Sequence, residues 1–328
     1  MKHEMRPNER LRCPLADGSN NLFFSLIDYR NTYFTSGDSD KIIEFYNGFK
    51  NREDLIEWMK ERPKGVANIY EVDGDKEFVV VIPTADFNGK YANECRENIF
   101  KGLHIIFVES GGRGDYFFNS AHNVNLGVQK AMEYNPKWIV FSGDDMFKID
   151  EPVTLVNALS SLDFNAIDTV FTKPSVYHSI PVCIGESRIQ RAIAFSLLLG
   201  RRPQIKIEEK YKVKYFSFPR NRLQRIFFKC MYKFTSIASF GIFSRKFVRS
   251  VSGRLFDETY INSSDDIDLD IRLSAKTIKT GTIDYRIGDL IGSTLGTDNN
   301  RRLRDIAGYS YLNYKIEKGM LPIHLEEC

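Results

Sequence analysis

The chain has 328 residues, 42% of them hydrophobic and 27% charged, which is the composition of a folded globular protein and excludes a fibrous or largely disordered chain. A formal net charge of +3 is too small to imply a nucleic-acid partner, which needs a concentrated basic surface. The five cysteines (Cys13, Cys95, Cys183, Cys230 and Cys328) are scattered with no CxxC spacing, so a reduced compartment is expected and a cysteine-bound metal is not. Met1 to Arg10 is charged and lacks an apolar core, and no run approaches the roughly 20 apolar residues that span a bilayer, so the expectation is a cytoplasmic protein.

Residues 1–75 give mixed signals, with helices expected over Asp40 to Phe49 and over Arg52 to Arg62, the latter stopped by Pro63 and Gly65. They read as an N-terminal extension packed on the main domain. From Lys76 the pattern changes. Phe78 to Ile82, Leu103 to Val108 and Trp138 to Ser142 are continuous β-branched and aromatic runs, the signature of strands buried on both faces of a parallel sheet. Helical stretches at Tyr91 to Phe100 and Val124 to Tyr134 separate them. Strand, helix, strand, helix, strand with short links is one half of a doubly wound α/β fold, whose ligands bind at the carboxyl ends of the strands. After Asp150 the regularity weakens: a helix is expected at Val153 to Ser161, a strand at Thr169 to Lys173, and a C-terminal helix at Ala307 to Lys318 behind the polar stretch Gly296 to Asp305. The division is 1–75 extension, 76–150 first half, 151–300 second half and 301–328 helical tail.

Three acidic clusters carry the chemistry. Gly143-Asp144-Asp145 follows the strand Trp138 to Ser142, so two carboxylates stand at the ligand edge, where they can hold a hard cation against a diphosphate or simply form a turn or helix cap. Val108-Glu109-Ser110 puts an acid between a strand and a glycine-rich turn, where it can accept from a ribose or base or merely end a strand. Asp265-Asp266-Ile267-Asp268-Leu269-Asp270-Ile271-Arg272 crowds four carboxylates. Helical spacing groups Asp265, Asp268 and Arg272, sets Asp266 and Asp270 on another face, and leaves Ile267 and Ile271 as core contacts. Crowding can raise a carboxyl toward general-base use, and an acidic first helical turn is also favoured by the helix dipole alone.

Taken in order, these elements resemble the inverting family 2 glycosyltransferases of GT-A fold, over Phe78 to Leu273. Val79-Val80-Val81-Ile82-Pro83-Thr84 is similar to the family's opening strand and nucleotide loop. Val108-Glu109-Ser110 stands where relatives have Val-Asp-Asp or Val-Asp-Asn, and Asn125-Leu126-Gly127 matches their Arg-Asn-x-Gly helix with Val124 in place of arginine. Gly143-Asp144-Asp145 resembles the D-x-D motif with glycine for its first acid. Ser239 to Lys246 and Leu255 to Glu258 resemble the acceptor-side pattern, and Asp265-Asp266-Ile267-Asp268-Leu269 the Glu-Asp-x-Asp-Leu motif. No histidine lies in Ile287 to Ser293, where relatives often carry one; Asp289 is the substitute there.

The resemblance implies a GT-A type, Rossmann-like nucleotide-sugar-binding sheet flanked by helices, and transfer of a sugar from a UDP- or GDP-linked donor to a glycan or lipid-linked acceptor hydroxyl. It implies that Pro83, Thr84, Asp86, Glu109, Asn125, Gly127 and Asp144 meet the donor, that Asp144 and Asp145 hold Mn²⁺ or Mg²⁺, and that Asp266 is the base. Asp265, Asp268 and Arg272 would support the acceptor or the base. A sugar nucleotidyltransferase is disfavoured by the lack of a Gly-x-Gly-Thr-Arg-like loop, and a non-catalytic nucleotide-sugar or glycan-binding scaffold is the reading from another class. Residues 201–234 are dense in Lys and Arg. Arg222, Arg225, Lys229 and Lys233 fall on one helical face opposite Leu223, Ile226, Cys230 and Phe234, which suits either peripheral contact with the inner face of a membrane or a helix packed on the core.

Overall fold

The computed structural model describes residues 29–110, 117–173, 182–185, 206–213, 232–235, 239–273, 277–290 and 300–321. Helical residues 29–34 lead into helices α1 (Ser39–Asn47) and α2 (Arg52–Glu61), capped by the side chains of Asp38 and Asn51, which accept from Asp40 N and Asp54 N. Strands β1 (Asn68–Val72) and β2 (Asp75–Thr84) follow, then α3 (Lys90–Glu94), which runs into a π turn over Cys95–Ile99. Next come β3 (Leu103–Glu109), α4 (Ser120–Met132) and β4 (Trp138–Ser142). α4 starts earlier than its apolar pattern predicts because Asn119 caps it, accepting from His122 N at 2.9 Å.

The second half contributes β5 (Met146–Lys148), α5 (Pro152–Ser160), β6 (Thr169–Lys173), β7 (Val182–Gly185), α6 (Lys206–Lys210), β8 (Tyr232–Thr235) and β9 (Phe240–Ser244). It closes with α7 (Arg245–Ser250), α8 (Asp265–Leu273), β10 (Thr280–Asp284), β11 (Ile287–Asp289) and α9 (Arg301–Glu317). The helical face expected to end at Lys233 and Phe234 is corrected there: both residues lie in β8, paired antiparallel with Ile184 and Cys183 of β7. Arg222, Arg225, Leu223, Ile226, Lys229 and Cys230 lie outside the described residues. No helix among the described residues is long and apolar enough to cross a membrane.

The fold is α/β, with a mixed seven-stranded sheet in the order β1-β3-β2-β4-β9-β6-β10 and helices on both faces, compatible with a Rossmann-like arrangement. β3, β2 and β4 are mutually parallel, as are β6 and β10, whereas β9 runs antiparallel between β4 and β6. β1 is an antiparallel edge strand on β3, drawn from the segment read as extension. Side-chain alternation sends Phe78, Val80 and Ile82 into one core beneath α5 and the π turn, and Val79 and Val81 into another beneath α4 and α7. A third core joins α1, α2 and α9 through Phe45, Trp58, Leu303 and Ile306. α8 belongs to two cores: Leu269 and Leu273 face the sheet, while Ile267 and Ile271 face the helical layer.

Gly127 sets the distance between α4 and the sheet. A Cβ there would stand 2.4 Å from Val81 Cγ1 and 3.0 Å from Val108 Cγ2. The helix-propensity gain of about 1 kcal/mol for Gly127→Ala is therefore outweighed by overpacking against a β-branched wall, and a net loss of about 1–2 kcal/mol is expected in urea unfolding. An unchanged or raised midpoint would refute this account of the helix–sheet spacing.

Candidate functional site

Because β2, β3 and β4 are parallel, the residues that leave their carboxyl ends share one edge of the sheet. Thr84 ends β2, and its hydroxyl donates to Asp144 Oδ2 at 2.7 Å, tying the turn after β4 to the loop after β2. Glu109 ends β3 and accepts from Phe87 N through Oε2 at 2.8 Å, pinning the same loop from the other side. Phe87 is sandwiched between Tyr70, stacked at 4.4 Å, and the Arg96 guanidinium, 4.9 Å from its ring centroid. Pro83 is half-buried, and Asp86 is exposed with Oδ1 accepting from Asn88 N at 2.9 Å. The loop over 85–89 is thus held both by its own Asp86 and by Thr84, Glu109, Tyr70 and Arg96 around it.

Asp144 is half-buried. Burial pushes its carboxyl up to about 6, opposed by the Thr84 hydrogen bond and reinforced by the charge of Asp145. Cys95 Sγ, in the π turn, donates to Asp144 O at 3.4 Å, and burial raises that thiol well above its ordinary range, so it stays neutral. Asp289 of β11 joins this neighbourhood: it pairs in register with Met146, the next residue's N–H (Leu290) donates to Asp145 O at 2.9 Å, and Ser239 Oγ donates to Asp289 Oδ2 at 2.8 Å. The glycine at 143 keeps room for the second acid, since a Cβ there would lie 2.9 Å from Asp145 Oδ1. Among the described residues, no three His, Cys, Asp or Glu side chains converge as a metal cage. Two adjacent carboxylates nevertheless suit a hard cation whose remaining ligands are phosphate oxygens and water.

Asn125 and Gly127 face inward. The Asn125 amide donates to Phe256 O at 2.9 Å and Glu258 Oε1 at 3.0 Å and accepts from Phe256 N at 3.1 Å, so this side chain fastens a crossing segment to α4. Asn119 donates to Glu258 O and Tyr260 O, and Ser120 N donates to Asn262 Oδ1 at 2.8 Å. Glu258 also meets His122 Nδ1 at 2.9 Å. His122 and Asn119 carry no motif and escaped the sequence reading; their positions in the turn that starts α4 were the only signal.

This crossing segment delivers α8 to the amino end of α4, which is the carboxyl edge of the sheet. Asn262 and Ser264 take left-handed backbone conformations, φ +54° and +69°, just before the helix. Asp265 Oδ2 accepts from Ser120 Oγ at 3.5 Å, while Asp266 Oδ1 accepts from Ile267 N at 2.8 Å. Burial and the charge of Asp266 push Asp265 up to about 7, and burial pushes Asp266 up to about 6, with Asp305 raising it and Arg301 lowering it. Asp268 and Arg272 have a different fate. Asp268 is fully buried and receives Arg272 Nε at 2.8 Å, Tyr260 OH at 3.0 Å and Lys315 Nζ at 2.6 Å. Arg272 also donates to Leu255 O at 2.5 Å. The structure therefore gathers Thr84, Glu109 and Asp144 in one cluster and Asp265 with Asp266 in a second on the same edge, and it commits Asp268 and Arg272 to internal ion pairs.

Comparison of the chain with models of known protein families and with curated protein sequences gives no match.

Two outcomes follow from the carboxyls of α8. An unfolded Asp titrates near about 3.9, so the folded chain retains a proton on Asp265 up to about 7, and stability falls as pH rises through that window. Asp265→Asn removes this penalty: its Tm should match that of the parent near pH 4 and exceed it at pH 8 by the equivalent of about 1–3 kcal/mol. Equal shifts at the two pH values would exclude the linkage. Asp268→Ala strands Arg272 and leaves Lys315 with Asp257 alone, and should cost about 3–5 kcal/mol in denaturant unfolding.

Proposed function

We propose that this chain is a glycosyltransferase of GT-A type, moving a sugar from a nucleotide-sugar donor to an acceptor hydroxyl by metal-assisted inverting single displacement. The observation that carries the proposal is the Thr84–Asp144 hydrogen bond between the ends of two parallel strands. It ties the turn that carries the D-x-D-like motif to the loop that, in the resembling family, meets the nucleotide. Glu109, bonded to the same loop, would accept from the ribose or base.

In this reading Asp144 and Asp145 hold Mn²⁺ or Mg²⁺ on the donor diphosphate. When bound, the cation offsets the charge that develops on the leaving group. The raised titration point of Asp144 fits this role, since a cation relieves both burial and the repulsion from Asp145. Asp266 takes the proton of the acceptor hydroxyl as its oxygen forms a bond to the anomeric carbon and the bond from that carbon to the diphosphate breaks. A carboxyl titrating near 6 is ionised at neutral pH and still basic enough to accept that proton. Burial holds it there, with the charge of Asp305 adding to the rise and Arg301 limiting it. Asn125 and Gly127 act as positioning residues, one holding the crossing segment and the other the helix spacing.

Titration with UDP and GDP, each with and without Mn²⁺, tests the donor site: metal-dependent binding is expected in the parent and lost in Asp145→Ala. Failure of both nucleotides to bind would overturn the donor assignment. Asp266→Asn should bind donor unchanged and lose at least about 100-fold in transfer rate; retention of the rate at saturating donor and metal would remove Asp266 from the base role.

A further inference from the structure

A concavity lies between helices and the crossing segment, lined by none of Thr84, Glu109, Asp144 or Asp145. Its volume is about 460 Å³, within the range of small-molecule sites, and its walls come from the end of α2, the segment Arg254–Thr259, α8 and α9. Three carboxylates line it, and each is engaged within the protein. Asp257 Oδ2 accepts from Tyr311 OH and Lys315 Nζ, both at 2.9 Å, and Asp257 Oδ1 from Thr259 N at 3.0 Å. Glu258 is held by His122 and Asn125, and Asp268 by Tyr260, Arg272 and Lys315.

Arg272 and Lys315 are thereby neutralised. Lys60, Lys64 and Arg254 also line the cavity, and none of them has a carboxylate within ion-pair distance among the described residues. Lys60 and Arg254 are exposed at its rim, while Lys64 is half-buried with its ammonium donating to Arg62 O at 3.0 Å. Burial and the Arg62 charge lower the Lys64 ammonium from its usual range, so a cation is kept there against desolvation and repulsion. An anion entering the cavity would relieve both. Glu258 and Asp257 offset part of the cost at Lys64, and Glu258 lies within the field of Arg254, yet neither cation is drawn into an ion pair among the described residues.

We propose that this cavity binds the phosphate or diphosphate group of a small-molecule ligand, with Lys60, Lys64 and Arg254 supplying the countercharge. The proposal does not depend on the transferase reading, because none of these three residues belongs to the strand-end cluster. The probe is inorganic pyrophosphate, titrated calorimetrically into the full chain in EDTA so that metal-assisted binding at the strand ends is silent. Equal affinity is expected for the parent and for Asp145→Ala. Lys60→Gln and Arg254→Gln, both at exposed positions and expected to keep the parent Tm, should each weaken binding about tenfold, and Lys60→Arg should restore it. Raising the salt concentration should weaken binding in the parent. Absence of binding to the parent, loss in Asp145→Ala, or unchanged affinity in both glutamine variants would each overturn the proposal.

Discussion

The seam between α4 and the segment that crosses it decides where the second acidic cluster stands. From Leu255 to Ser264 the chain forms neither helix nor strand, so its backbone donors and acceptors need partners from elsewhere. The amides of Asn119 and Asn125 supply them, bonding to the backbone at Phe256, Glu258 and Tyr260, and Asn262 returns a bond to Ser120 N. The segment runs from the middle of α4 to its amino end and turns into α8 there. If the seam loosened, Asp265 and Asp266 would lose their place at the sheet edge, although the sheet itself would be untouched.

Within α8, neighbours on the same short motif meet opposite environments. Asp265 and Asp266 start the helix beside each other and Asp305, with little countercharge, and burial drives both upward. One turn on, Asp268 is more deeply buried but sits between Arg272 and Lys315. The first pair is costly to ionise; the third acid ties α8 to α9 and to Tyr260. Helix α9 serves both ends of this arrangement, with Arg301 and Asp305 facing Asp266 and Lys315 facing Asp268.

The central strands were legible because they are buried on both faces: Val79 to Ile82, Ile105 to Val108 and Trp138 to Val140 offer nothing but apolar side chains. β1 was hidden for the opposite reason. It is an edge strand, largely exposed, and Asn68-Ile69-Tyr70-Glu71-Val72 has no apolar run to mark it. β9 was visible as a motif but not as a strand, since its five residues are recruited by β4 and β6 from distant parts of the chain. Charges four residues apart misled at Lys233, where short-range spacing gave a helical face and pairing with β7 made a strand. In the site, the acids were readable as clusters, whereas the Thr84 hydroxyl that fixes Asp144 and the amides that fix α8 depend on tertiary contacts. Asn125 and Gly127 stood out as well, and in the structure the first ties the crossing segment to α4 while the second sets the helix–sheet spacing.

The antiparallel strand β9 also dictates an order of assembly. β1 to β4 can pair as soon as Ser142 has left the ribosome, since every partner of those strands on that side is already made. The far edge of β4, Trp138 to Ser142, then waits for Phe240 to Ser244, which arrive roughly a hundred residues later. Until then the nascent chain presents a strand apolar from Trp138 to Phe141 with an unsatisfied row of backbone donors and acceptors, the kind of edge that recruits other chains. Synthesis speed and chaperone cover across that interval, rather than the stability of the finished sheet, would then govern how much of this protein a cell recovers in folded form.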